Sequence, residues 1–421
     1  MRRPRAAASA GAAAPRAMAL SPSSASLTVL LGLLLALTPL GTDMFLPAMP
    51  AIAHDLGAEP ALVQLGLTAY FIGIAVGQLG WGPLSDRFGR RPALLAGCGV
   101  FLGASVGCML AGSAHALIAL RLLQGLAMSS GPVVARSIVR DMHAREQAAR
   151  LLAQMQIVFA VVPIAGPLIA GALIDWTDWP AVFGFHAVTA AALATAVALG
   201  LTETAPGERS SIHPARIAAS FGALLADRRF VAPLATLLCA QIGLYAFLAN
   251  SSFALVGRSG VTAAGFGLLF AAVMVGHMLG AYHSSRWVGR RGVPRMLRFG
   301  TRLCATAGIA MAALAWSGAS HWTAVVLPMM VYMYAFSFVL PHATALAMTP
   351  FPQAAGAAAS LLGAGQFGLG AIVSAALGVL YDGTTRPMAA AVALAGITAV
   401  AAEWLRTRWA RGASGSARGD D

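Results

Sequence analysis

The chain has 421 residues, of which 58% are apolar and only 10% are charged, whereas about a quarter of the residues in a soluble domain are charged. This composition excludes a water-soluble enzyme domain, a collagen-like fibre and a disordered chain. The formal net charge is +13, but the basic residues other than histidine are all arginines, clustered between apolar runs rather than on one face. The charge therefore predicts the cytoplasmic loops of a membrane protein and no nucleic-acid partner.

Residues 1–26 are rich in alanine, serine and arginine and contain no acid, a composition that resembles a signal or transit peptide. The apolar run that follows continues to Met49 and carries Asp43, and many further runs come after it. We therefore interpret residues 1–26 as a retained cytoplasmic N-terminal tail that leads into the first membrane span.

Twelve apolar runs follow, each long enough for a transmembrane helix. They cover residues 27–51, 61–82, 92–112, 115–138, 151–174, 180–201, 230–256, 263–285, 296–316, 321–343, 356–380 and 387–405. The sequence thus predicts an all-α integral membrane protein in which two six-helix bundles, 27–201 and 230–405, are joined by a cytoplasmic linker, 202–229. A cytoplasmic tail, 406–421, ends the chain.

The arginines predict the orientation of these helices. If the N-terminus is cytoplasmic, only Arg258 and Arg386 fall in outer loops, Arg121 falls within a span, and all the other arginines lie in inner segments. Because arginine is concentrated in cytoplasmic loops, both termini are expected to be cytoplasmic.

The first run contains a carboxyl group, Asp43, in the stretch Gly41–Pro50, GTDMFLPAMP. The charge of such a group depends on neighbouring cations and on which side of the membrane it is exposed to. Asp43 is therefore a candidate proton-coupling residue. The alternative is a helix-end acid that precedes the helix breakers Pro47 and Pro50.

The second run ends in Gly80–Arg91, GWGPLSDRFGRR, a cluster of arginines and one aspartate on a glycine turn. This segment resembles motif A of the major facilitator superfamily. The resemblance implies a conformational gate that ties the two bundles together in the outward-open state, formed by Gly82, Asp86, Arg87, Gly89, Arg90 and Arg91. The alternative is a solvated basic loop that only sets topology. A weaker copy, Gly276–Arg291, has Ser284 and Ser285 and no acid, and such parallel halves suggest a substrate path between them.

In the fourth run, Arg121–Gly125 reads RLLQG and resembles motif B, with Arg121, Gln124 and Gly125 as its key residues. An arginine in hydrocarbon is costly and needs a partner. Arg121 and Asp43 are expected at similar depth, so we predict that they pair, directly or through water. The alternative is an arginine that extends to the outer interface.

The fifth run contains Ala165–Gly171, AGPLIAG, and its Pro163, Gly166, Pro167 and Gly171 bend the helix and allow close helix contact. Similar stretches mark antiporters of the superfamily as motif C, although ordinary small-residue packing is the alternative. Together with the stretches at Asp43 and Asp86, it resembles the Bcr/CflA drug-efflux branch, from about Leu27 to Glu203 and more loosely to Leu380. Some related exporters carry a second acid in the first span, where Leu35 and Ala36 stand here.

Further polar or polarisable residues in the runs could line a central cavity: Tyr70, Gln124, Met128, Gln241, Tyr245, Tyr332 and Gln366. Each could equally pack between helices. No P-loop, HExxH or GxSxG motif occurs, and the four cysteines lie within apolar runs without CxxC spacing, so neither an enzyme nor a metal site is expected.

The resemblance implies a proton-coupled antiporter that exports small, mostly apolar, drug-like compounds across the bacterial inner membrane by alternating access. It implies a single chain in the lipid bilayer, with the proton gradient and no cofactor. A proton-coupled metabolite exporter, an uptake symporter of the same fold, and a membrane sensor that has lost transport are the alternatives.

Overall fold

The computed structural model describes residues 24–143, 145–205, 214–319 and 321–416, and the regular secondary structure of this part is entirely helical. Twelve of its helices are long and apolar enough to cross a membrane, which confirms the predicted all-α, twelve-span architecture. Spans 1–12 are Ala25–Asp55, Pro60–Phe88, Arg90–Met109, Ala114–Met142, Glu146–Trp176, Pro180–Gly200, Arg228–Gly257, Ala263–Arg291, Val293–Trp316, Thr323–Met348, Pro352–Val379 and Arg386–Trp409. Residues 1–23 of the predicted N-terminal tail lie outside the described residues.

Two spans are divided along their length, and a third ends in an irregular turn. Span 1 consists of the helices Ala25–Asp43 and Phe45–Asp55, which meet at Met44. Pro47 falls in the first turn of the second helix, where backbone N–H groups have no partner within the helix, so the span continues past it. Asp43 thus ends one helical segment but lies in the middle of the span.

Span 4 is divided in the same way, at Ser129. Span 7 instead has its irregular part at its end, the π-helical turn Phe253–Arg258. Interrupted helices near the centre of a membrane protein expose backbone groups that can serve a binding site.

Two predicted boundaries differ from the structure. The linker predicted for 202–229 contains a helix, Pro214–Ala226, and span 7 begins at Arg228. The last helix runs from Arg386 to Ser416, well into the predicted C-terminal tail. Pro214–Ala226 is rich in alanine and leucine, which favour a helix.

Helices pack within each half before the halves meet. In the N-terminal half (spans 1–6), span 2 packs on span 4, span 3 on span 6 and span 1 on span 5; in the C-terminal half (spans 7–12), span 12 packs on spans 7 and 9, and span 10 on spans 8 and 9. The halves meet mainly where span 2 packs on span 11 and span 5 on span 8. Glycines permit the closest approaches, since a Cβ atom on Gly125 would overlap the carbonyl oxygen of Tyr70.

The two ends of the helix array differ in charge. We call the end that carries the turn at Arg87–Arg91 and the arginines of 286–302 the arginine-rich end, and the opposite end, at Asp55, the arginine-poor end. At the arginine-poor end the halves are joined by hydrogen bonds: Gln64 Nε2 donates to the carbonyl oxygen of Ala249 at 2.7 Å and to Asn250 Oδ1 at 2.6 Å. This end is closed in the structure.

Candidate functional site

Arg121 is fully buried in the N-terminal half. One terminal nitrogen donates to Gln124 Oε1 at 2.8 Å and the other to the carbonyl oxygen of Gly41 at 2.9 Å. The guanidinium carbon lies 4.0 Å from the ring centre of Tyr70 and 4.4 Å from that of Phe45. A buried cation is thus accommodated by polar oxygens and aromatic faces, and the alternative of an arginine that extends to the interface is wrong for this structure.

Asp43 is also buried, with 5% of its surface exposed. Its Cβ lies only 3.8 Å from the position that a Cβ on Gly166 would take, so the aspartate lies against the motif C segment of span 5. The ion pairs among the described residues join Arg90 with Asp86 and Asp141, Arg229 with Asp227, and Arg406 with Glu403. The predicted direct pairing of Asp43 with Arg121 is therefore not formed, because the guanidinium is held by span 1 carbonyl and span 4 amide oxygens instead.

Gln124 and Gly125 complete the motif B region. Gln124 Nε2 donates to Ser105 Oγ of span 3 at 2.8 Å, so its side chain links Arg121 to a neighbouring helix. Gly125 allows span 2 to approach span 4 through the Tyr70 backbone. Arg121 is therefore fixed in position by three helices and not by an acid.

The motif A turn is a network of hydrogen bonds around Arg90. Its side chain binds the carboxylate of Asp86, Ser85 Oγ at 2.7 Å and Asp141 Oδ2 at 2.8 Å. Arg87 is exposed and lies over the ring of Phe88, and a Cβ on Gly82 would lie 3.9 Å from Val133 Cγ1, an ordinary contact. The described hydrogen bonds of the motif A side chains all lie within the N-terminal half, whereas the motif was expected to tie the two bundles together.

Glu203 is a further member of this network that the sequence did not point to. Its carboxylate accepts hydrogen bonds from the backbone N–H groups of Arg90 at 2.8 Å and Arg91 at 3.2 Å, at the start of span 3. Although burial alone raises the pKa of Glu203, backbone N–H bonds from Ala205, Arg90, Arg91 and Thr204 together hold that pKa below its ordinary value. The available signal was an acid in the loop that follows span 6. Negative charge is favourable at the N-terminus of a helix, here that of span 3.

Gly89 shows why the turn requires glycine. Its φ is +106°, and a Cβ there would lie 2.5 Å from a carboxylate oxygen of Glu203. Arg91 in turn donates to the carbonyl oxygen of Ala198 at 2.6 Å. The turn is thereby fastened to span 6 as well as to span 4.

Span 5 meets span 8 through the glycines of motif C. A Cβ on Gly171 would overlap the carbonyl oxygen of Ala263, and one on Gly267 would lie 2.6 Å from the carbonyl oxygen of Pro167. The helix passes through Pro163 and Pro167 without a break, from Arg145 to Trp176. The small residues therefore serve a close contact between the two halves near the arginine-poor end.

The residues predicted to line a cavity separate into two groups. Tyr70 and Tyr332 are fully buried inside their own halves, where they donate to the carbonyl oxygens of Thr38 at 2.9 Å and Ala240 at 2.6 Å. Gln124 and Met128 are buried in the N-terminal half as well. Sequence depth does not tell which face of a helix a side chain takes, and the hydrogen bonds of Tyr70, Tyr332 and Gln124 lie inside their own halves. That these four residues line a cavity stays a prediction.

The second group lies where the halves meet. Gln241 Nε2 donates to the hydroxyl of Tyr245 at 3.1 Å, and the Tyr245 ring contacts Phe71 of span 2 edge-on, with ring centres 5.1 Å apart. Phe71 also lies 6.1 Å from Phe367, next to the half-buried Gln366. Phe71 and Phe367 were not predicted; an aromatic residue beside glycines in a span, as in GQFGLG, was the signal that could have found them.

Comparison with known proteins gives a consistent assignment. Residues 31–375 match the family model described as Major Facilitator Superfamily. The chain is 34% identical to the MFS-type transporter YdgK of Bacillus subtilis, over 87% of this chain and 91% of that protein. It is 30% identical to the bicyclomycin resistance protein homolog of Haemophilus influenzae, over 85% and 90%. It is 35% identical to the chloramphenicol resistance protein of Pseudomonas aeruginosa, over 66% and 65%.

Solved structures agree on the fold. A POT family transporter in complex with a thioalcohol-conjugated peptide superposes with a TM-score of 0.74, covering 92% of this chain and 96% of that one, at 14% sequence identity. At such low identity the likeness shows the arrangement of helices alone.

Proposed function

Because the chain belongs to the major facilitator superfamily of membrane transporters, we propose that it exports small drug-like compounds in exchange for protons. The names of its relatives, a bicyclomycin resistance protein homolog and a chloramphenicol resistance protein, support efflux over uptake or the export of a metabolite. The observation that carries proton coupling is the position of Asp43. Among the described spans, it is the only carboxyl group more than two helical turns from either end of its span.

The surroundings of Asp43 suit a carboxyl group that gains and loses a proton. It lies at the division of span 1 and against Gly166 of span 5, and span 5 is the helix through which the N-terminal half contacts span 8. A rearrangement of the two halves therefore moves the helices that surround Asp43. Because a buried carboxylate is costly without a partner, its protonation and the arrangement of those helices are linked.

The proposed cycle uses the arginine-poor end as the outer end, since the arginine-rich end faces the cytoplasm. Outward exposure protonates Asp43, and inward exposure releases the proton and admits substrate. The closed arginine-poor end in this structure, with Gln64 bonded to Asn250, corresponds to a state in which Asp43 is shielded from the outside. Arg121 keeps its hydrogen bonds to Gln124 and the Gly41 carbonyl oxygen throughout this cycle, and contributes only its fixed positive charge.

The protein would function in the inner membrane of a bacterium, as its bacterial relatives suggest. A single chain supplies both halves of the path, so a monomer suffices, and the proton gradient is the only energy source that the cycle requires.

The test uses inverted membrane vesicles with an imposed proton gradient and a pH-sensitive dye. Addition of chloramphenicol should dissipate part of the gradient with the natural sequence, and Asp43→Asn should abolish this response because an amide cannot exchange a proton. The control is Asp382→Asn, the same change in the loop before span 12, where the carboxylate accepts hydrogen bonds from the backbone and hydroxyl of Thr384. A normal response from inserted Asp43→Asn protein would contradict the proposal.

A further inference from the structure

The turn between spans 8 and 9 concentrates positive charge at the arginine-rich end. Six arginines fall within residues 286–302, and the sequence contains no aspartate or glutamate between Asp227 and Asp382. None of these six arginines belongs to an ion pair within the described part of the chain. The described residues therefore leave the positive charge of this turn unbalanced.

The corresponding turn of the N-terminal half balances its own charge. There the carboxylates of Asp86 and Asp141 surround Arg90. In the second half Arg291 instead lies over the ring of Trp287. Because a guanidinium has five N–H donors and a ring face is a weak acceptor, such an arginine keeps donors for a further anion.

Three of the six arginines form a stripe on span 9. Arg295, Arg298 and Arg302 are spaced by three and four residues, which places them on one face of the helix. Arg295 and Arg302 are exposed, and Arg298 is half-buried. Span 9 packs chiefly on spans 10 and 12 of its own half, so this face turns to the lipid. Span 12 carries an acid, Glu403, but it is buried and bound by Arg406 at 2.6 Å.

Arg302 lies within the span and not in the turn. It is nine residues from Val293, where span 9 begins, which is about 13 Å at a rise of about 1.5 Å per residue. An arginine in contact with hydrocarbon is costly. Helical side chains tilt towards the N-terminus of their helix, which here is the arginine-rich end, so Arg302 extends towards the headgroups of that leaflet. The anion that it meets there is a lipid phosphate.

Beyond Arg302 the same side of the helix becomes apolar. A groove of about 560 Å³ lies between spans 9 and 10 and begins at Thr306, one turn further along span 9. Its lining includes Thr306, Ala310, Leu314, Leu327 and Val331. From the arginine-rich end towards the middle of the membrane, this surface thus presents cations and then an apolar groove. That is the order of headgroup and acyl chain in a phospholipid.

We propose that the face formed by Arg295, Arg298 and Arg302 binds an anionic phospholipid of the leaflet at the arginine-rich end. Its phosphate binds the guanidinium groups, which match phosphate geometry with paired N–H donors, and one acyl chain lies along the groove. Basic clusters next to membrane spans bind anionic headgroups in this way. The lipid thus supplies to the second half the negative charge that Asp86 and Asp141 supply to the first. Lipid binding of this kind is independent of which compound is exported.

The test measures lipid binding to the purified full chain in uncharged detergent. Phosphatidylglycerol and phosphatidylcholine with the same fluorescently labelled acyl chains are titrated separately. Phosphatidylglycerol should bind at least about tenfold more tightly, and this preference should decrease as the salt concentration rises. Arg302→Gln should weaken phosphatidylglycerol binding about fivefold, as expected for one arginine near a charged headgroup, and should leave phosphatidylcholine binding unchanged.

Two further variants separate this site from general charge and from misfolding. Arg229→Gln makes the same change at the same end of the C-terminal half, but Arg229 is already bound by Asp227 at 2.8 Å, so phosphatidylglycerol binding should stay unchanged. Arg302→Lys keeps the charge and should bind phosphatidylglycerol more tightly than Arg302→Gln does. Equal affinity for the two lipids, unchanged binding in Arg302→Gln, an equal loss in Arg229→Gln, or equal losses in Arg302→Lys and Arg302→Gln would each overturn the inference.

Discussion

At the middle of the N-terminal half, a buried aspartate and a buried arginine stand on spans 1 and 4, whereas at the same depth of the C-terminal half two tyrosines stand on spans 7 and 10. The backbone contacts that surround them are alike, since in both halves a glycine of the fifth helix of the bundle receives the side chain of the first. One arrangement of helices thus carries charged chemistry in one half and neutral aromatic chemistry in the other. The difference shows that two similar helix arrangements hold side chains of different charge at their centres.

The turns at the arginine-rich end show the same asymmetry. In the first half, Arg90 is surrounded by the carboxylates of Asp86 and Asp141. In the second half, the corresponding arginines lie on aromatic rings: Arg286 over Tyr282 at 4.6 Å and Arg291 over Trp287 at 4.8 Å. Hydrogen bonds to carboxylates are directional and stronger than exposed cation–π contacts, so the first-half turn is the more firmly fixed.

The largest expected effect comes from removal of the buried cation. Arg121→Met keeps an unbranched apolar stem but deletes the hydrogen bonds to Gln124 and Gly41. It should lower the free energy of unfolding by about 2–4 kcal/mol, since hydrogen bonds to charged groups contribute about 1.5–3 kcal/mol each. The matching change in the other half, Tyr332→Phe, removes one neutral hydrogen bond and should cost about 1 kcal/mol. Reversible denaturation in mixed micelles measures both. Equal losses of unfolding free energy in Arg121→Met and Tyr332→Phe would contradict the expected difference between the two halves.

An intermediate effect is expected where the halves touch. Gly171→Ala introduces a Cβ that overlaps the Ala263 carbonyl oxygen, so it should destabilise the closed arginine-poor end by about 1–3 kcal/mol. Spectroscopic distances between labels on spans 5 and 8 should lengthen. Gly365→Ala, on span 11 with open space beside it, is the control and should leave those distances unchanged. Unaltered distances in Gly171→Ala would show that the motif C contact does not hold the halves together.

The smallest effect concerns pH. The pKa of Glu203 is lowered by backbone N–H bonds that outweigh its burial, so its contribution to stability is present above its ordinary value of 4.5 and is lost as the pH falls through the folded-state pKa. Glu203→Gln should therefore lower stability at pH 7 by less than about 1 kcal/mol, since the carboxylate is largely exposed. The variant and the natural sequence should converge in acid.

Melting temperatures recorded across a pH series measure this effect. Glu59→Gln provides the control, because Glu59 makes no side-chain hydrogen bond to the helix that it precedes. A constant difference between Glu203→Gln and the natural sequence at all pH values would mean that Glu203 acts by packing and not by charge.

Much of the fold could be predicted because apolar length and arginine distribution are properties of single segments. The site could be predicted only in part. Asp43 and Arg121 lie at similar depth, as expected, but depth does not determine the direction of a side chain around its helix, and the guanidinium binds the Gly41 carbonyl. The same limitation applies to Tyr70 and Tyr332, whose hydroxyl groups bond inside their own halves.

Contacts between distant segments were beyond prediction for another reason. Glu203 reaches the backbone of Arg90 across more than a hundred residues of sequence, and Phe71 meets Tyr245 only because spans 2 and 7 converge. Neither relation leaves a local pattern. By contrast, the glycines of motif C are evident in sequence because close helix contact requires them locally.

The central claim is that Asp43 exchanges the coupled proton, and the most direct measurement is proton release when ligand binds. Purified protein in weakly buffered solution, mixed with saturating chloramphenicol, should release about one proton per chain at a pH where Asp43 is protonated, as expected for competition at one carboxyl group. Asp43→Asn protein that still binds chloramphenicol should release none. Equal release from the Asp43→Asn protein would contradict the account, because another group would then carry the proton.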